Sequence, residues 1–177
     1  MQKASVAFEN VAEEPDRSRH GIALSEIENV LVGRGVAIWQ QIRGLRPYPT
    51  RAEMSPRVMS GTLRNTVLVR VLCGGDEYEM RIVGDAIVQA QGASLQGMTM
   101  AEIDLVLPGY GSLLRAVYKS AYRKRSAAAY RGWFVREADD RSMFHETVVL
   151  PLGEAGQPPD HLLILAVYAM QPGEKPR

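Results

Sequence analysis

His145 and Glu146 stand side by side and have the residue types of a general acid–base pair. Neighbouring residues of a strand point to opposite faces, however, so the two cannot converge on one substrate atom. Cys73 is the single cysteine. It can form no internal disulfide, no nearby His joins it in a thiolate metal site, and its presence alone points to a reducing compartment. His20 falls in a polar N-terminal stretch, whereas His145 and His161 fall in strand-like stretches. The sequence contains no GxSxG nucleophile elbow, no HExxH zinc helix and no GxxxxGKS/T phosphate loop. No catalytic residue and no metal ligand is assigned, and the chain reads as a binding protein and not an enzyme.

Binding candidates are more numerous. Tyr78, Met80 and Ile82 alternate along a strand and share one face, and Met98, Met100, Leu114, Val117 and Trp133 can line the opposing wall. Such a set makes a mostly apolar ligand pocket or a filled core, because methionines at these spacings also simply fill irregular space. Arg46 and Arg51 flank prolines in a loop, where a guanidinium can hold a carboxylate or phosphate, or clamp a helix to a sheet. Arg81 alternates away from Met80 towards the face of Glu79, which suits a cross-strand ion pair, with a ligand contact as the alternative. Arg115, Lys119, Arg123, Lys124 and Arg125, with Tyr118 and Tyr122 interleaved, have the makings of a nucleic-acid stripe. The same residues also crowd the C-terminal end of a helix, where the macrodipole favours cations.

Composition bears on that choice. Lys and Arg number 21 against 20 Asp and Glu, a formal charge of +1, so no long-range field marks the chain for nucleic acid or a membrane surface. Hydrophobic residues make up 46% of the 177, enough for one packed domain. The first 20 residues lack an apolar run and carry Glu9, Glu13, Glu14 and Asp16, unlike a signal peptide. No stretch reaches the ~20 apolar residues of a membrane span. A cytoplasmic, soluble protein is the expectation.

These residues must be positioned by recognisable elements. Residues 1–23 and 171–177 read as flexible tails around a single domain, 24–170. Ser25 and Glu28 have capping-box spacing, and Ile27, Val30, Leu31, Ile38 and Ile42 continue at helical intervals, which predicts a helix within 24–45, weakened in the middle by Gly33 and Gly35. A connector over 46–65 follows, with a short helix restarting at Ser55-Pro56. Residues 66–73 and 77–83 flank Gly74-Gly75-Asp76 as a β-hairpin. Glycine-punctuated apolar clusters over 84–104 suit two or three short helices. Leu113, Leu114, Val117, Tyr118 and Ala121 mark one longer helix over 111–123. Strands at 127–136, 142–152 and 161–170 close the domain as an antiparallel meander. In the last of them Leu163, Leu165 and Val167 alternate with Leu162, Ile164, Ala166 and Tyr168. Both parities are apolar, so the sheet is covered on both faces, with the N-terminal helix on one.

That element order, together with Trp39-x-x-x-Arg43-x-x-Arg46-x-x-Pro49-Thr50-Arg51, Pro56, Arg81-x-x-Gly84, Gly97 and Leu150-Pro151-Leu152, resembles the short stand-alone PAS-domain family found mainly in alphaproteobacteria. Asp85 stands where that family often has a small hydroxyl residue. The resemblance covers about residues 25–170. It implies an α+β fold with a five-stranded antiparallel sheet, short helices and one longer helix on one face, and the N-terminal helix on the other. It also implies a sensory, signal-transducing role in a bacterial cell, with a small apolar or amphipathic ligand, a signalling protein partner or a homodimer as what is bound. A ligand-free docking module and an enzyme on a cup-shaped fold are the alternatives. Haem sensing in such domains uses a helix- or loop-borne histidine, and flavin photochemistry a cysteine on the short helices. Neither His20, His145 and His161 nor Cys73 stands in such a place, so no cofactor is assigned.

Overall fold

In the computed structural model, which describes residues 19–136 and 141–170, the chain enters through a three-residue strand, β1 (His20–Ile22). It pairs antiparallel with a later strand, so the sheet has six strands where the sequence predicts five. Three residues are too few to show alternation, and only their pairing makes them a strand. Of the expected tails, 1–23 and 171–177, residues 1–18 and 171–177 lie outside the described residues, and His20–Ile22 is instead paired into the sheet.

Helix α1 (Val30–Arg43) begins later than the sequence predicts. Asn29 caps it, its side-chain oxygen accepting the N–H groups of Leu31 at 2.9 Å and Val32 at 3.3 Å. Ser25 lies instead in a single tight turn, Leu24–Glu26. The N–H groups of Glu28 and Asn29 are drawn off to a carboxylate on the sheet, which overrides the Ser25–Glu28 spacing. Gly33 and Gly35 do not break α1. A Cβ on Gly35 would stand 2.4 Å from Leu165 Cδ2, so glycine there lets the helix lie close against the sheet.

The connector after α1 is made of turns, with no helix at Ser55-Pro56. Met59 donates to Ser55 at 3.0 Å, but Thr62 then donates back only three residues, to Met59, and Gly61 takes φ +86°, so a helical turn starts and does not propagate. Met54 and Met59 are buried against the sheet, and this anchoring outweighs the cap-and-proline signal.

The hairpin is as the sequence predicts: β2 (Thr66–Leu72) and β3 (Glu77–Val83) joined by a turn with Gly74 and Gly75 at positive φ. Next come α2 (Asp85–Gln91), α3 (Met100–Val106) and α4 (Tyr110–Lys124), matching the short helices and the longer one. The meander of β4 (Ala128–Arg136), β5 (Arg141–Leu152) and β6 (His161–Met170) closes the chain. Every pairing is antiparallel, in the order β1-β4-β5-β6-β2-β3.

Two apolar layers enclose the sheet. On the inner face, Val67, Val69, Tyr78, Met80, Leu162 and Ile164 pack against Ile87, Met100, Ile103, Val117 and Tyr118 of the three later helices. On the outer face, Leu68, Val148, Leu150, Leu163 and Leu165 pack against Val32, Val36 and Trp39 of α1. The alternating parity of β6 is thus satisfied on both sides.

Candidate functional site

The site is built around β5, whose successive side chains serve opposite faces. On the inner face the sheet register sets Gly132, His145 and Tyr168 in one row across β4, β5 and β6. The pairing of His20 with Arg131 carries that row on to Arg19, beyond the start of β1. The next row holds Gly21, Tyr130, Thr147 and Ala166. Over this end of the sheet lie Gln91 at the close of α2 and Tyr110 and Tyr118 of α4.

The groups touch. The Gln91 amide donates to the Tyr110 hydroxyl at 2.6 Å. His145 Nδ1 lies 3.1 Å from the Thr147 hydroxyl, and its ring is 6.2 Å from that of Tyr168. The Arg19 guanidinium sits over the Tyr130 ring, 5.4 Å from its centre. Burial pushes the Tyr168 hydroxyl up to about 12, opposed by its hydrogen bond with Gln91, and raises Tyr110 and Tyr118 as well. Burial brings His145 down to about 4, helped by the positive charge of Arg19, so the imidazole is neutral at ordinary pH. Arg19, Tyr110, Tyr130 and Tyr168 are only half-buried, so solvent reaches this end of the inner face.

The sequence-derived pocket divides. Tyr78, Met80 and Met100 are sealed, at 0–2% exposure, in the inner core with Val117, while Met98 and Leu114 pack against it partly buried. Tyr78 donates to the Gly75 carbonyl at 2.9 Å and stacks edge-on with Tyr118. Ile82 does not join them. The β2–β3 register shifts between Leu68 and Val69, so that Val69 faces Met80 while Leu68 faces Ile82, and Arg81 is the extra residue. The bulge turns Ile82 to the outer side, 48% exposed, and brings Val83 inward. Trp133 also lies elsewhere: it pairs with Phe144 on the outer face, rings edge-on at 5.2 Å, on the same parity as Ala129 and Arg131.

Sequence reading singles out none of Arg19, Gln91, Tyr110 and Tyr130; it weighs His145 only as a partner of Glu146 or a cofactor ligand, and Tyr168 only as part of the apolar parity of the last strand. Registering the three closing strands about their turns would have aligned Tyr130, His145 and Tyr168 on one parity. Arg19 gave no such signal.

The outer face carries a clamp. The buried Glu146 carboxylate accepts from the N–H of Asn29 at 2.7 Å and Glu28 at 3.2 Å, and from the Arg131 guanidinium at 2.7 Å. Burial alone would raise this carboxyl, but the hydrogen bonds from Arg131, Asn29 and Glu28 hold it below the usual range. The N-cap of α1 and the residue before it are thereby tied to the middle of the sheet.

The motif residues extend this fastening and do not approach the inner row. Trp39 donates from its indole to the Pro151 carbonyl at 2.9 Å, and the Arg43 guanidinium lies over the Trp39 ring. Arg46 grips Glu53 through two hydrogen bonds, at 2.9 and 3.0 Å, and also bonds the Ile42 carbonyl, so it clamps the connector to α1. That pairing and the Thr50 N–H hold Glu53 down at about 2. The Pro49 carbonyl accepts from Gly153, and the Tyr48 hydroxyl donates to Gln157. Arg51 and Pro56 are exposed. Arg81 pairs at 2.9 Å with Glu79 of its own strand and not across strands as the sequence predicts. A Cβ on Gly84 would meet the Arg64 and Leu63 carbonyls at 2.3 and 2.5 Å, and Asp85 pairs with Arg64. Gly97, at φ +85°, donates to Met80 at 2.6 Å.

Two cations of the basic stripe are committed, and Arg123, Lys124 and Arg125 are exposed. Arg115 pairs with Glu77 and Lys119 with Asp76, while Tyr118 is buried and Tyr122 packs under Gly75. Cys73 is exposed in the hairpin turn, and the His161 ring lies 2.9 Å from the carboxylate of its neighbour Asp160. Among the described residues no group of three His, Cys, Asp or Glu side chains could hold a metal, and no helix is long and apolar enough to cross a membrane.

No family model matches the chain, and no curated protein does. Among solved structures, an RNA-binding light-oxygen-voltage receptor is similar at 11% identity and a TM-score of 0.50 over 86% of this chain. The chain spans only 39% of that receptor's length. A Rhodobacter sphaeroides LOV protein is similar at 14% identity and a TM-score of 0.44, over 83% of this chain and 71% of that one. LOV domains are a subfamily of PAS domains, and the six-stranded antiparallel sheet with its four helices is an α+β, PAS-like fold.

Proposed function

We propose that this chain is a stand-alone sensory domain of the PAS type, which takes a small ligand on the inner face of its sheet and reports it through α1 on the outer face. The observation that carries this is the placement of His145 and Glu146. One strand carries an imidazole facing the half-buried tyrosines and, at the next residue, the carboxylate that holds the N-cap of α1. A ligand that shifts β5 changes the hold on α1, and a signalling partner or second copy reads that helix. Val30 and Leu45, at the two ends of α1, are among the most exposed large apolar residues and would form part of the surface read.

Alphaproteobacterial membership in a short PAS family accords with the clamp, because the motif residues Trp39, Arg43, Arg46, Pro49 and Pro151 all fasten α1 and its connector. No nucleic-acid partner is assigned: Arg115 and Lys119 of the basic stripe are paired with carboxylates, and only Arg123, Lys124 and Arg125 of it are exposed. Flavin and haem remain unassigned.

A second reading, a ligand-free docking or dimerisation module in the cytoplasm, is favoured by the sealed Tyr78–Met80–Met100 core.

Hydrogen exchange at Glu28–Leu31, measured with and without a broad metabolite library and alongside native mass spectrometry, separates the two. Sensing predicts a bound small molecule and altered exchange at α1. A protein that binds nothing, and whose α1 exchange never changes, is a docking module.

A further inference from the structure

Arg19 is the odd member of the inner row. Its guanidinium is half-buried over Tyr130, yet among the described residues it has no carboxylate partner, whereas Arg46, Arg64, Arg81, Arg115 and Arg131 each have one. Withdrawing a guanidinium from water without an anion is costly, and cation–π contact with one ring returns only part of that cost. Burial accordingly weakens its hold on the proton. The surrounding groups are planar and mostly neutral: the Tyr110, Tyr118, Tyr130 and Tyr168 rings, the His145 imidazole and the Gln91 amide.

We propose that the inner row binds a planar organic acid, an aromatic or conjugated carboxylate whose anionic end meets Arg19 and whose ring lies among Tyr130, Tyr168 and His145. The inference rests on the ligand-binding reading above and names its ligand class. Arg19 supplies a fork that matches a carboxylate in bidentate geometry. The tyrosine rings offer flat apolar walls. Arg19 immediately precedes β1, so an acid bound there also ties β1 to β4.

The test is titration of the full chain with benzoate, para-hydroxybenzoate, cinnamate and indole acetate, each beside its primary amide. Calorimetry gives affinity and heteronuclear NMR follows the His145 and Tyr168 rings. At least one acid is expected to bind about tenfold or more tightly than its amide and to shift both rings. In Arg19→Gln, with an unchanged NMR fold, that preference drops to about threefold or less, and Arg19→Lys keeps an intermediate preference. Should Arg19→Gln fail to fold, the acid-to-amide ratio of the unaltered protein decides. Equal binding of acid and amide, or binding of neutral library compounds alone, overturns the acid assignment and leaves the sensory reading standing. No binding by any acid, amide or library compound removes both.

Discussion

Leu165 occupies the space that a side chain on Gly35 would need: its Cδ2 lies 2.4 Å and its Cδ1 2.9 Å from the position of an added Cβ. Helix propensity and packing therefore pull in opposite directions at this residue. Alanine would favour α1 by about 1 kcal/mol as a helix, but the overpacking costs roughly 1–3 kcal/mol. Gly35→Ala is expected to lower stability in urea melts, and Gly35→Ala combined with Leu165→Ala to show favourable coupling between the two sites. A stabilised single variant would mean that α1 does not rest on β6.

Glu146→Gln removes the charge that Arg131 faces and weakens two amide contacts at the start of α1. The expected loss is about 2 kcal/mol, below that of a fully buried pair because Arg131 keeps Glu28 within reach. Amide exchange at Glu28 and Asn29 should accelerate more than exchange in β2 or β3. Uniform acceleration across the sheet would mean that the carboxylate supports the fold generally and not α1 in particular.

The bulge at Arg81 predicts unequal partners two residues apart. Met80→Ala should cost about 2–4 kcal/mol, as a truncation inside the inner core. Ile82→Ala, on the exposed outer edge, should stay within about 1 kcal/mol. Equal losses in chemical denaturation would place both side chains on one face and remove the bulge.

His145 gives stability a pH dependence of known sign. Its value in the folded chain is about 4, below the ordinary 6.5, so the unfolded chain takes up the proton first. Its contribution is complete above about pH 6.5 and declines as pH falls towards 4, by roughly 3 kcal/mol. Arg19 faces the ring and adds to this depression. Carboxylates held low by their partners, Glu146 and Glu77, lose their contribution only at more acid pH. His145→Leu should flatten urea midpoints between pH 7 and 4.5, and an unchanged slope would assign the dependence elsewhere.

Much of this architecture is legible in residue order because each element carries a local signal. The hairpin announces itself through Gly74-Gly75, α4 through its apolar stripe, and the two-sided sheet through the double parity of β6. What stays hidden depends on pairing across the sheet. Ile82 alternates correctly with Met80 until a bulge, set by the neighbouring strand, reverses it. Trp133 and Tyr130 can be told apart only once β4 is registered against β5. The family-like motif was legible as residues, but its work of fastening α1 to Pro151 and Glu53 appears only in three dimensions.

Both margins of the sheet are partly covered. On the β4 side sits His20–Ile22, and on the β3 side Gly97–Thr99 occupies Met80 and Glu79. A newcomer seeking to lengthen the ribbon by strand addition would first have to evict one of these short plugs. Edge-to-edge growth of the sheet is thereby hindered at these two places.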